Sequence, residues 1–132
     1  MELTIRDLEV KKDPRGTTTE LLKGGLDLAG TKEILLITSK PGEVRGNHYH
    51  KTKGEWLGVL KGVVELTYTD IETGETKKIV IKGIKPKMVK TPMNVAHASK
   101  NIGKSIAYLI EVNDQIYNPE NPDSFKKVIV EK

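Results

Sequence analysis

Apolar and polar positions alternate along this chain in short runs, and turn residues separate the runs. The pattern predicts strands over residues 32–39 (KEILLITS), 55–61 (EWLGVLK), 63–70 (VVELTYTD) and 77–82 (KKIVIK). Further strands are predicted over 86–91, 94–100 and 105–112, and a last apolar run extends from Phe125 to Val130. Shorter strands are expected near 3–10 and 19–23. Lys40-Pro41-Gly42, Lys61-Gly62, Thr73-Gly74, Pro92-Met93-Asn94 and Asn101-Ile102-Gly103 supply the turns. No segment keeps a helical period over three turns. Many short strands at regular spacing predict an all-β sandwich or barrel. Closing a barrel removes most exposed strand edges. The terminal strands remain to pair with a second subunit, so a homodimer is expected.

Composition narrows the class. A chain of 132 residues is one domain's worth, and residues 1–132 are read as a single unit. Cysteine is absent, which rules out disulfides and thiolate metal sites. There is no N-terminal apolar segment of signal-peptide type. No run approaches the roughly 20 apolar residues of a bilayer-spanning helix. A soluble cytoplasmic protein, without a membrane partner, is expected. The net charge of +4 comes from 22 basic and 18 acidic residues scattered along the chain. One Phe and one Trp offer little for base stacking, so nucleic acid is not the expected partner. A mild positive field suits a phosphorylated small molecule.

The three histidines carry the chemistry. His48 and His50 are two apart, and in a strand such side chains share a face. Glu55 opens the next strand after Lys51-Thr52-Lys53-Gly54, with Leu57 and Val59 on its face. His97 follows the Pro92-Met93-Asn94 turn. Three imidazoles and one carboxylate suit a divalent transition metal: Zn, Fe, Mn, Ni or Co.

Gly42, five residues, His48-Tyr49-His50, four residues, Glu55, six residues and Gly62 resemble the first cupin motif. Pro92-x-Asn94-x-x-His97-x-x-x-Asn101 is similar to the second. Asn94 stands where that family usually has glycine, and Gly83 lies further from Pro92 than usual. Asparagine tolerates the left-handed conformation such a turn needs. Arg45-Gly46-Asn47-His48-Tyr49-His50 resembles a narrower branch, the RmlC-like cupins: deoxysugar epimerases, sugar 3,4-ketoisomerases and the cupin domain of capsular-polysaccharide reductase/epimerases. The last group also resembles this chain at residues 117–123 (YNPENPD). The resemblance implies an RmlC-like jelly-roll β-barrel with His48, His50, Glu55 and His97 as metal ligands. It implies an epimerase or ketoisomerase acting on a nucleotide-linked keto sugar in polysaccharide biosynthesis, with Arg45 on the diphosphate and His48 or His50 as base. A histidine bound to metal cannot take a proton through the same nitrogen, so the ligand and base roles compete.

Alternatives attach to single residues. Glu55 could pair with a neighbouring lysine, and Arg45 could bridge to Glu43 or cap a turn. Trp56 and Tyr49 alternate away from the site, although a bulge at Gly46 would change the parity locally. Tyr49, Tyr68, Tyr108 and Tyr117 are all candidate proton donors. The tail around Pro119 and Pro122 is expected to cover rather than catalyse. A non-catalytic metal- or small-molecule-binding cupin, and a metal-dependent oxygenase, use the same ligand set.

Overall fold

A computed structural model describes residues 1–21 and 30–132. Two five-stranded antiparallel sheets face each other, built from strands of the kind the alternation predicts. The strands are β1 (Thr4–Asp7), β2 (Val10–Asp13), β3 (Gly16–Thr19), β4 (Glu33–Ser39), β5 (Val44–Tyr49), β6 (Glu55–Lys61), β7 (Val63–Asp70), β8 (Thr76–Lys82), β9 (Lys87–Thr91), β10 (Val95–Asn101), β11 (Ala107–Asn113) and β12 (Phe125–Lys126). One sheet runs β1-β9-β6-β11-β4 and the other β12-β5-β10-β7-β8. The β2–β3 hairpin forms a separate two-stranded ribbon. Among the described residues no helix is long and apolar enough to cross a membrane.

The core lies where the inward faces meet. Val59, Leu66, Ile81, Val89 and Leu109 are each at most 1% exposed. Burying each of these side chains contributes about 1.5–3 kcal/mol. Leu57 and Val59 continue below Glu55 on one face of β6, as the alternation requires.

Several elements differ from the sequence expectation. The stretch near 3–10 is two strands, β1 on the sheet and β2 in the ribbon, because Leu8 turns away to donate its N–H to Pro86. The strand expected near 19–23 lies earlier, at Gly16–Thr19, where it pairs with β2. Residues 22 and 23 fall outside the described region. The last apolar run pairs as a strand only at Phe125–Lys126. Beyond it the chain is held by Asn47: Lys127 donates to the Asn47 carbonyl, and Ile129 and Val130 donate to its Oδ1. β5 gave no apolar alternation, because its sequence VRGNHY is given over to site residues and a bulge.

Candidate metal and sugar site

The site begins with the bulge in β5. His97 pairs with His48, but the next residue of β10, Ala98, pairs with Gly46, so Asn47 is the extra residue. Both bulge residues take left-handed angles, Gly46 at φ 93° and Asn47 at φ 56°. Glycine is needed at 46, since a Cβ there would lie 2.7 Å from the His97 carbonyl oxygen. The consequence is a change of parity. Arg45 and His48 are three apart and would point to opposite faces of a regular strand. With the bulge, Arg45 pairs with Ser99 and His48 with His97, so both line one cavity of about 290 Å³.

His48, His97 and Tyr68 stand in a row across β5, β10 and β7, because His97 pairs with His48 on one side and Tyr68 on the other. His50 lies just past β5. Its carbonyl accepts the N–H of Asn94, whose φ of 58° makes the turn before β10. Asparagine therefore fills the left-handed position usually held by glycine. The three imidazoles pack with centroids 4.7–5.1 Å apart, and one ligand atom from each lies within 4.8 Å of the others. Glu55 enters from the opposite sheet, with Oε2 3.3 Å from His50 Nε2 and Oε1 3.6 Å from His97 Nε2. The predicted four residues thus come together, with Glu55 on the His50–His97 side.

The tautomers follow from the hydrogen bonds. His50 Nδ1 lies 2.6 Å from the Asp123 carbonyl oxygen and His97 Nδ1 lies 3.2 Å from that of Val95. A carbonyl only accepts, so both Nδ1 atoms donate, and in the neutral rings Nε2 carries a lone pair. Both Nε2 atoms and Glu55 Oε2 are buried without a hydrogen-bond partner. A shared cation or proton satisfies acceptors that converge in this way; left unpaired, each costs about 1–3 kcal/mol. The donor set and these orphaned atoms fit a divalent ion held by His50, His97 and Glu55, with His48 within reach.

Electrostatics sharpen the picture. Burial, followed by the neighbouring His97 and His50, pulls His48 down to about 4, so its ring is neutral at pH 7. Burial also lowers His97. Burial by itself would raise the Glu55 carboxyl, but His50, His97, Glu111 and Lys53 turn its net shift downward. Lys53 Nζ lies 3.7 Å from Glu55, so the alternative lysine partner is present beside the histidines.

One site residue escaped the sequence reading. Glu111 on β11 lines the same cavity as Glu55. Burial, then Glu55, pushes its carboxyl up to about 8. The run SIAYLIEV gave a faint signal, a lone carboxylate among inward-facing apolar residues.

The remaining candidates fall into place. Among the described residues Arg45 bridges neither to Glu43 nor within its own turn; its Nε donates to the Thr38 carbonyl at 3.1 Å, and none of the described residues pairs its terminal nitrogens. Tyr68 is the tyrosine that lines the cavity, and burial raises its phenol. Tyr49 stacks on Phe125 at 5.3 Å, Tyr108 lies beside Lys61, and Tyr117 is exposed in the tail. Trp56 points outward under the Arg6 guanidinium.

The fold is that of an RmlC-like cupin jelly roll. The sequence profile described as "Polysaccharide biosynthesis C-terminal domain" matches residues 11–125, and the chain belongs to that family. It is 32% identical over 119 residues to the UDP-2-acetamido-2,6-beta-L-arabino-hexul-4-ose reductase of Pseudomonas aeruginosa, covering 90% of this chain and 31% of that enzyme. It is similar to the crystal structure of the capsular polysaccharide assembling protein CapF from Staphylococcus aureus, with TM-score 0.74 and 25% identity, over 92% of this chain and 33% of that one. This chain therefore spans about a third of the length of these two relatives. The fold also matches the dTDP-6-deoxy-D-glucose-3,5-epimerase RmlC of Legionella pneumophila in complex with dTDP-4-keto-L-rhamnose. That match has TM-score 0.76 and 21% identity, over 94% of this chain and 71% of that one.

Proposed function

We infer that this barrel moves a proton next to the ketone of a nucleotide-linked keto sugar, as an epimerase or ketoisomerase of polysaccharide biosynthesis. The observation that supports this most is the position of Arg45 and His48 on one face of β5, at one cavity. A guanidinium grips a diphosphate through paired hydrogen bonds. An imidazole three residues away takes the proton from the carbon beside the ketone. Tyr68 keeps its own proton and faces the same cavity, so it is the tyrosine suited to donate. Leu35, Ile37 and Leu57 give the cavity an apolar wall for the sugar. His50, Glu55 and His97 would hold a divalent metal, which would supply Lewis-acid polarisation of a ketone. The names of the relatives agree with this substrate class: a UDP-linked hexul-4-ose for the Pseudomonas enzyme and a dTDP-linked 4-keto sugar for RmlC.

The test is proton exchange. The purified protein is incubated with a UDP-linked 4-keto sugar in deuterium oxide, and loss of the protons beside the ketone is followed by NMR, with metal content measured on the same samples. Exchange by the unaltered protein, lost in His48→Asn with metal retained, assigns His48 as base. Loss of metal in that variant makes His48 a ligand instead. No exchange by the metal-loaded, unaltered protein overturns the catalytic reading in favour of a binding cupin.

A further inference from the structure

The segment after β11 leaves the barrel, turns at Asn118–Asn121, and returns along the outside of the histidine strand. Residues 123–130 then run beside residues 47–53, contact by contact. Asn47 holds 127–130 through its carbonyl and side chain, with its Nδ2 donating to Val130 at 2.9 Å. Phe125 and Lys126 pair with Tyr49 and His48. Asp123 closes the far end. Its carboxylate accepts the N–H groups of Lys51, Thr52 and Lys53 at 2.8–2.9 Å and the Thr52 hydroxyl at 2.8 Å. The backbone carbonyl of the same residue takes the Nδ1 proton of His50.

We propose that Asp123 is a positioning residue for the site: its carboxylate clamps the 51–53 turn, and the clamp holds its own carbonyl oxygen against His50 Nδ1. Two groups of one residue thus do linked jobs. The carboxylate meets three consecutive backbone N–H groups that no strand satisfies. That fixes where the Asp123 backbone sits relative to the turn. The carbonyl is then within 2.6 Å of the imidazole, which sets the His50 tautomer and ring plane. His50 Nε2 is thereby turned toward Glu55 and His97. Asp123 is not among the residues that line the cavity; it acts through His50. Its carboxyl is held below the usual carboxylate range, with burial opposing and the three N–H donors and the Thr52 hydroxyl prevailing.

The affinity part of the test rests on His50 as a metal ligand, while the tautomer part does not. In metal-free protein, the His50 Nδ1 proton gives a slowly exchanging NMR signal. Asp123→Ala loses that signal to exchange and binds Zn2+ about ten- to a hundredfold more weakly in competition with a chelator. Thr52→Ala, which removes one hydroxyl from an exposed turn, shifts both readouts the same way by less. Asp123→Asn, whose amide oxygen still accepts from the turn, recovers part of the loss. Backbone amide spectra of β6 and β10 report that the barrel stays folded; if Asp123→Ala does not fold, Thr52→Ala carries both readouts. A folded Asp123→Ala that keeps the signal and the affinity overturns the proposal. If the unaltered protein takes up no Zn2+, the metal reading fails, and the Nδ1 signal alone decides whether Asp123 positions His50.

Discussion

Glu111 on β11 and Glu55 on β6 line one cavity, Glu111 standing two residues from Asn113, the register partner of Glu55. Two carboxyls lining one partly buried cavity cannot both ionise at low cost. The negative charge stays on Glu55, which faces the histidines and Lys53, and Glu111 keeps the proton.

That division gives a stability signature in the metal-free protein. Below the ordinary glutamate range, position 111 is protonated in both folded and unfolded chains. Between about pH 4.5 and 8, the unfolded chain releases this proton and the folded chain retains it, so stability falls as pH rises. Glutamine cannot titrate. The stability of Glu111→Gln relative to the unaltered protein should therefore rise from pH 5 to pH 8, by about 1–3 kcal/mol. Urea unfolding of both proteins at the two pH values measures it. A difference independent of pH would place the proton elsewhere.

Arg45 supplies the positive end of the cavity. Arg45→Ala should weaken binding of UDP about tenfold to a hundredfold, the range for loss of hydrogen bonds to a charged partner. Metal content should not change, because the arginine contacts the Thr38 carbonyl and none of the ligands. Titration calorimetry measures the affinity. Unchanged UDP binding would put the diphosphate at another part of the surface.

Gly46 permits the bulge. In Gly46→Ala the new Cβ would lie 2.7 Å from the His97 carbonyl oxygen, at a φ of 93° that side chains rarely adopt. A loss of about 2–4 kcal/mol is expected in denaturant unfolding. The displaced β5 should also weaken UDP binding, since Arg45 and His48 share a face only through this bulge.

Asn101, the last residue of the second motif, is structural. It is buried, donates to the carbonyls of Ser39 and Ser105 at 2.8 Å each, and accepts the Gly103 N–H at 2.9 Å. Asn101→Ala leaves these groups unpaired, and a cost of about 2–4 kcal/mol is expected from thermal or urea unfolding. Zinc affinity of the folded variant should match that of the unaltered protein. A loss of metal at full stability would give Asn101 a role in the site.

The sequence by itself determined the strand-rich class and the shared face of His48 and His50, while Glu55 and His97 were singled out by their motif resemblance and brought to that face by the fold. Alternation marks which faces turn inward, and a two-residue interval puts two histidines on one face whatever the strand's neighbours are. Asn94 was legible for a similar reason, since its left-handed turn is a local property. Tertiary structure decided the rest. Whether Arg45 joins His48 depends on the extra residue in the β5–β10 ladder, and a bulge is set by pairing with another strand. Glu111 is 56 positions from Glu55 in the chain and meets it only through the β6–β11 register. Asp123 reaches His50 because the chain after β11 folds back along β5, and no period or spacing in residues 114–123 records that return. Local periodicity fixes which way a side chain points from its own strand; which groups it meets there depends on long-range pairing.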